Sequence, residues 1–183
     1  MKRTLLASLL ALGCSLSALA SPITYNVNHA IGGGSVVGSI QTDGTIGTLA
    51  TADILDWSLT LTSANLAGGS PDLITKATGG TFVLGSSLSA TLTDLIFDFG
   101  GTGAGFYMQG ADANAWCMAT GPTSCIGEAT PSDGIYFGVA GGPAELDHPG
   151  GPVVIASAIP EPASVALVAI ALLGLGATAR RRT

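Results

Sequence analysis

Positive charge is the scarcest property of this chain. Lysine and arginine number six in 183 residues, and five of the six sit at the ends: Lys2 and Arg3 at one, Arg180, Arg181 and Arg182 at the other. Between them, residues 21–159 hold one cation, Lys76, against eleven carboxylates, a net charge of minus ten. Nucleic acid and anionic membrane surfaces are recognised through clustered basic side chains, so this balance argues against both as partners. Cations and neutral polymers stay compatible. Charged residues of either sign make up only 10% and aromatics 5% of the chain, and long polar side chains are few, which leaves little material for amphipathic helices. Catalytic signatures are missing too. There is no Gly-x-Ser-x-Gly elbow and no Gly-x-x-x-x-Gly-Lys loop. Gly101-Thr102-Gly103-Ala104-Gly105 leads into Phe106-Tyr107-Met108 and not into an amphipathic helix, so it does not set a phosphate at a helix start.

What is present is concentrated at the end. Ile159-Pro160-Glu161-Pro162 is followed by seventeen uncharged residues, Ala163 to Ala179, and then by Arg180-Arg181-Arg182-Thr183. As a helix the apolar run is about 25 Å long, at the short limit for crossing a hydrocarbon core. Basic residues flanking a span stay on the cytoplasmic side, which places the bulk of the chain outside the inner membrane. Pro160 and Pro162 fix their own backbone and push the residue before each away from helical geometry, so residues 159–162 are extended and a helix starts only at or after Pro162. A plain stop-transfer anchor shares these features. The full combination of Pro-Glu-Pro, short apolar helix and arginine cluster resembles the PEP-CTERM sorting signal of Gram-negative bacteria. That resemblance covers about the last 24 residues and implies recognition of Pro160, Glu161 and Pro162 by an exosortase, a membrane-embedded cysteine transpeptidase. Tail removal and delivery to the cell surface or extracellular polysaccharide would follow. Thr42-Asp43-Gly44-Thr45-Ile46-Gly47 leading into Ile54-Leu55-Asp56-Trp57-Ser58-Leu59 is similar to segments of uncharacterised exported members, with no chemistry attached.

At the other end Lys2 and Arg3, the apolar segment Leu5 to Leu12 and Ala18-Leu19-Ala20 read as a secretory signal for the Sec translocon, cut between Ala20 and Ser21. A rival reading lipidates Cys14, but alanine occupies the place usually held by leucine three residues before it. The expected organisation is therefore a signal peptide over 1–20, one exported β-rich domain over 21–159 and a sorting signal over 160–183. The expected fold class is all-β, an antiparallel β-sandwich or jelly roll of eight or so short strands between Gly, Pro and Asp turns. Ile23 to Val27 and Val36 to Gln41 form a hairpin candidate around Gly32-Gly33-Gly34. Leu55 to Thr62 is the clearest strand, with Leu55, Trp57, Leu59 and Leu61 on its inner face by strict alternation. Leu88, Ala90 and Leu92 share one face while Leu95, Phe97 and Phe99 take the opposite parity, so a bulge or tight turn lies near Asp94. Further strands are expected at Thr81 to Leu84, Phe106 to Met108, Ala115 to Met118, Ile135 to Val139 and Val153 to Ala156, with a helical turn over 114–118 as the alternative for the third of these.

Candidate sites are few. Cys117 and Cys125 are the cysteines left after signal removal, and an oxidising compartment favours a disulfide between them; the competing role is a nucleophilic cysteine working with His29 or His148. Glu145, Asp147 and His148 lie together in a Pro-Gly context able to ligate calcium through the carboxylates or a transition metal with the imidazole, against the plain alternative of a solvated loop. Asp43, Asp53 and Asp56 form a second acidic group without calcium-loop spacing. Trp57, Trp116, Tyr107 and Tyr136 have flat faces suited to sugar rings, with Asp56, Asp112 and Asn114 near them; Trp57 is better placed in the core, which leaves Trp116 as the candidate glycan contact. Three readings result: a structural or adhesive, non-enzymatic matrix protein; a glycan-binding module; and a small hydrolase using carboxylates or calcium.

Overall fold

A computed structural model describes residues 21–64, 70–121, 131–138 and 143–159. Signal and sorting segments, Pro160 to Arg182 and Cys125 included, lie outside the described residues, as does Ala20. Thirteen strands occur among the described residues: β1 (Ile23–Ile31), β2 (Gly34–Thr42), β3 (Gly47–Thr48), β4 (Ile54–Thr62), β5 (Asp72–Thr75), β6 (Gly80–Leu84), β7 (Leu88–Ala90), β8 (Asp94–Asp98), β9 (Gly105–Gln109), β10 (Ala115–Ala119), β11 (Ser132–Tyr136), β12 (Pro143–Asp147) and β13 (Pro152–Ala158). Among the described residues one 3-10 turn, Thr51–Asp53, precedes β4. The strands form two wholly antiparallel sheets. The larger has the order β3-β7-β8-β13-β1-β2-β4-β5 and the smaller β12-β11-β10-β9-β6. Inner faces of both sheets feed one core, in which Tyr25, Ile40, Trp57 and Phe97 of the larger sheet join Phe106, Met108, Trp116 and Ile135 of the smaller. The arrangement is all-β and sandwich-like.

The expected hairpin is the centre of the larger sheet. β1 and β2 pair without interruption from Ile23 opposite Thr42 to Ile31 opposite Gly34, and the reversal uses Gly32 at a φ of 55°, a left-handed conformation that costs glycine nothing. Gly38 has a different reason to be glycine. A Cβ there would lie 2.1 Å from the carbonyl oxygen of Ser58, so a side chain would force β2 and β4 apart.

β4 departs from the expected alternation at its first turn of phase. Trp57, Leu59 and Leu61 are buried as expected, but Leu55 is 43% exposed and Ile54 takes the inner position. The cause is a bulge: Gln41 pairs with Asp56 and Thr42 with Ile54, so Leu55 is the extra residue. The carbonyls of Ile54 and Leu55 both accept from Nζ of Lys76, the latter at 2.9 Å. The domain's one cation is therefore spent on backbone acceptors that the interrupted ladder leaves over.

Near Asp94 the phase change is a tight turn. Thr91 N–H donates to Asp94 O at 2.8 Å, Asp94 N–H donates to Thr91 Oγ1 at 2.8 Å, and β7 and β8 pair across it. Leu92 sits at the apex, 74% exposed, and not on the face of Leu88 and Ala90. Residues 115–119 are a strand and not a helical turn, buried at every position. β3, β5 and β12 have no counterpart among the expected strands.

The first and last strands are neighbours. β1 pairs antiparallel with β13, Tyr25 opposite Ala158, and Ile159 N–H donates to Thr24 O at 2.9 Å. Because the strands run oppositely, the start of one lies beside the end of the other, and the chain enters and leaves the unit at one end of the larger sheet.

Candidate functional site

The most structured polar group lies at the opposite end of β1. Alternation along the strand puts Tyr25, Val27, His29 and Ile31 on the inner face. There His29 meets Asp133 of β11 and Trp116 of β10, so the contact bridges the two sheets. Nε2 of His29 donates to Oδ2 of Asp133 at 2.6 Å, Nε1 of Trp116 donates to Oδ1 at 2.8 Å, and the imidazole and indole centroids are 5.5 Å apart at 34°. Asp133 is 1% exposed. A carboxylate this deep is costly unless both oxygens are satisfied, and here each has a donor. Through these contacts Asp133 ties β1 to β10 and β11, a clasp between the two sheets.

Glu145, Asp147 and His148 border this group but do not converge. β12 lies next to β11, with Asp147 opposite Asp133 and Glu145 opposite Ile135. From there the two carboxylates reach the β1–β2 reversal. Oε2 of Glu145 accepts from Gly33 N–H at 2.8 Å, Oε1 accepts from Ser63 Oγ at 2.6 Å, and Oδ2 of Asp147 accepts from Gly32 N–H at 3.0 Å. Nδ1 of His148 turns away to Pro131 O at 2.9 Å. The stretch weighed as a cation site or a solvated loop is an edge strand whose acids cap backbone donors of the β1–β2 reversal. No group of three or more His, Cys, Asp or Glu side chains fit to hold a metal occurs among the described residues. The second acidic group resolves similarly: Asp43 accepts from Thr45 N–H at 2.9 Å, Asp53 from Ala50 N–H at 2.7 Å and Asp56 from Trp57 N–H at 2.8 Å. Asp43 and Asp53 each serve their own turn, and Asp56 bonds its neighbour within β4.

Trp116 is not available to a sugar. It is 0% exposed, and the expectation of an exposed indole is corrected by its position: with Met118 it forms the inner face of β10, the middle strand of the smaller sheet. Trp57 is core as expected, its Nε1 bonded to Thr81 Oγ1. Tyr136 is 2% exposed, and Asn114 Nδ2 donates to Asp72 Oδ2 at 2.5 Å. The exposed aromatic surface lies elsewhere. Phe82, 52% exposed, pairs across the strands with half-buried Tyr107 on the outer face of the smaller sheet. Two open hollows on the larger sheet measure about 150 and 190 Å³, below the roughly 300 Å³ at which small-molecule pockets begin.

Cys117 is fully buried on the other face of β10, beside Ala115, Ala119 and Tyr136, and is disulfide-bonded; its partner lies outside the described residues. The pairing partner of His29 gave no signal in the sequence, because Pro131-Ser132-Asp133-Gly134 has the composition of a turn. The signal that existed was the alternation of Trp116 with Met118, which puts an indole N–H inside the core and so requires an acceptor there.

Burial pushes the Tyr25 phenol above its usual pKa, and Asp94 adds repulsion, against a lowering hydrogen bond with Thr42; burial alone raises that of Tyr107. The folded form thus holds these protons above the pH at which the unfolded chain releases them, so their contribution is complete below about pH 10 and is lost as pH rises beyond it. Tyr25 also donates to Thr91 O at 2.6 Å, a bond that the phenolate cannot make. Urea midpoints should be level from pH 7 to 9 and fall by pH 11, with a shallower fall in Tyr25→Phe.

No protein-family model, curated protein or solved structure matches this chain.

Proposed function

We propose that residues 21–159 form an exported domain of the cell surface or extracellular matrix, structural or adhesive and not enzymatic, sent through the Sec translocon and released from the inner membrane by an exosortase acting at Pro160-Glu161-Pro162. The observation that carries this reading is the single core shared by both sheets, drawn from buried side chains between Tyr25 and Ala156. A sorting label that is later discarded requires a domain with a core of its own, and this core supports that. The internal employment of Asp133, Glu145, Asp147, His29 and His148 supports a structural role over a catalytic one. We assign the partner of Cys117 as Cys125, closing a short loop in an oxidising compartment.

Intact mass of the surface fraction is the test. The expected product begins at Ser21, lacks Ala163 to Thr183 and takes up no alkylating reagent at cysteine under native conditions. A surface product that retains the arginine cluster refutes the sorting reading.

A further inference from the structure

The end of the larger sheet where the chain enters and leaves is also where apolar side chains are exposed without cover. Gly47 pairs with Ala90, which sets Ile46 beside the turn that follows β7; Leu92 is the apex of that turn. The same turn is bonded to both termini of the unit, through Tyr25 Oη to Thr91 O at 2.6 Å and Ala158 N–H to Thr93 O at 2.6 Å. Ile159 completes the group. Ile46, Leu92 and Ile159 are 51%, 74% and 51% exposed, a rim of large aliphatic side chains around the chain's exit.

Residues 160–162 are all that separates this rim from the apolar run that starts at Ala163. Ile159 is still held to the sheet by its bond to Thr24, so the tether begins there, and four extended steps reach at most about 14 Å. A headgroup layer is roughly 5 to 8 Å deep on each side of the hydrocarbon. A folded unit on so short a tether stays within about 10 Å of the headgroup surface even at full stretch, and meets it whenever the tether is less than fully extended. We propose that Ile46, Leu92 and Ile159 form a lipid-contact surface that seats the domain on the outer leaflet of the inner membrane while the tail is inserted. This rests on the reading of residues 163–179 as a membrane span. The contact is apolar insertion among headgroups and not charge attraction: Lys76 is bound to the carbonyls of Ile54 and Leu55, while Asp94, the carboxylate of the turn, accepts from Thr93 Oγ1 at 2.7 Å and Ser157 Oγ at 3.1 Å. Contact of this kind is available to zwitterionic lipid and is lost when the tail is cut, because three aliphatic side chains alone anchor weakly.

The test uses the full chain, carrying residues 160–183, in phosphatidylcholine vesicles made with either ordinary or brominated acyl chains. Leu92→Trp places a fluorophore at the turn apex, and Leu73→Trp, at a position 63% exposed on edge strand β5, places one away from the proposed contact. Both sites are at the surface, and the native Trp57 and Trp116 supply a buried background. Brominated lipid should quench the Leu92→Trp signal roughly twofold, as for a side chain seated in the interface, and leave Leu73→Trp near its value in ordinary lipid. If the chain floats with the vesicles but Leu92→Trp is quenched no more than Leu73→Trp, the contact surface is refuted and the span stands. If the chain does not float with the vesicles, the span is refuted and the contact with it.

Discussion

Trp116→Ala should lower the stability of the domain by about 3 to 5 kcal/mol, the range for truncating a large buried aromatic side chain. The indole is fully buried in the inner layer of the smaller sheet, so its removal leaves a cavity. It also takes the Nε1 donor from Asp133 and the ring that packs against His29. Trp116→Phe keeps most of the volume and loses mainly the donor, which should cost about 1 to 3 kcal/mol. Asp133→Ala withdraws the acceptor from the buried Trp116 donor and the part-buried His29 and should cost about 3 kcal/mol, close to the complete indole truncation. Single domains are typically stable by about 5 to 15 kcal/mol, so Trp116→Ala removes a large share of the total. Urea midpoints measure all three. A midpoint for Trp116→Ala within error of wild type would place the indole outside the core and return it to consideration as a binding surface.

Replacing both Pro160 and Pro162 by alanine should abolish processing while leaving the domain folded. The sequence expectation is that the two prolines favour an extended backbone over residues 159–162, the form a peptide takes in a protease cleft. With alanine at both positions, the helix expected over the apolar run is free to extend backward through them, since alanine is the best helix former and the two blocks are gone. The product should remain with the inner-membrane fraction, heavier by the uncut tail, with an unchanged urea midpoint. A double variant that still reaches the surface at the normal mass overturns the assignment of these residues to an exosortase.

The parts of the fold legible in the sequence were those built from local alternation and punctuation. Gly32-Gly33-Gly34 marked the hairpin, Trp57, Leu59 and Leu61 marked a half-buried strand, and the parity change before Leu95 marked a turn. What was not legible depended on partners distant in the chain. Strict alternation put Leu55 inside, but a bulge is a property of two strands, and Thr42 selects Ile54. Trp116 followed the same rule in reverse: its irregular surroundings suggested exposure, while β9 and β11 on either side enclose it. Glu145 and Asp147 read as an acidic loop because β12 has no apolar face of its own; their acceptors' purpose is set by Gly32 and Gly33, more than a hundred positions earlier. The His29 to Asp133 bond spans a similar distance, and no spacing rule reports it.

Juxtaposed entry and exit strands also decide how this unit responds to tension. A pull between Tyr25 and Ala158 acts across the β1–β13 ladder at its open end, so its hydrogen bonds, which lie perpendicular to the strands in an antiparallel pair, are strained singly and in sequence. Copies joined head to tail in a fibre would unzip at every junction under modest force. Suspended from one terminus, with a neighbour gripping a side of either sheet, the same unit resists as a block.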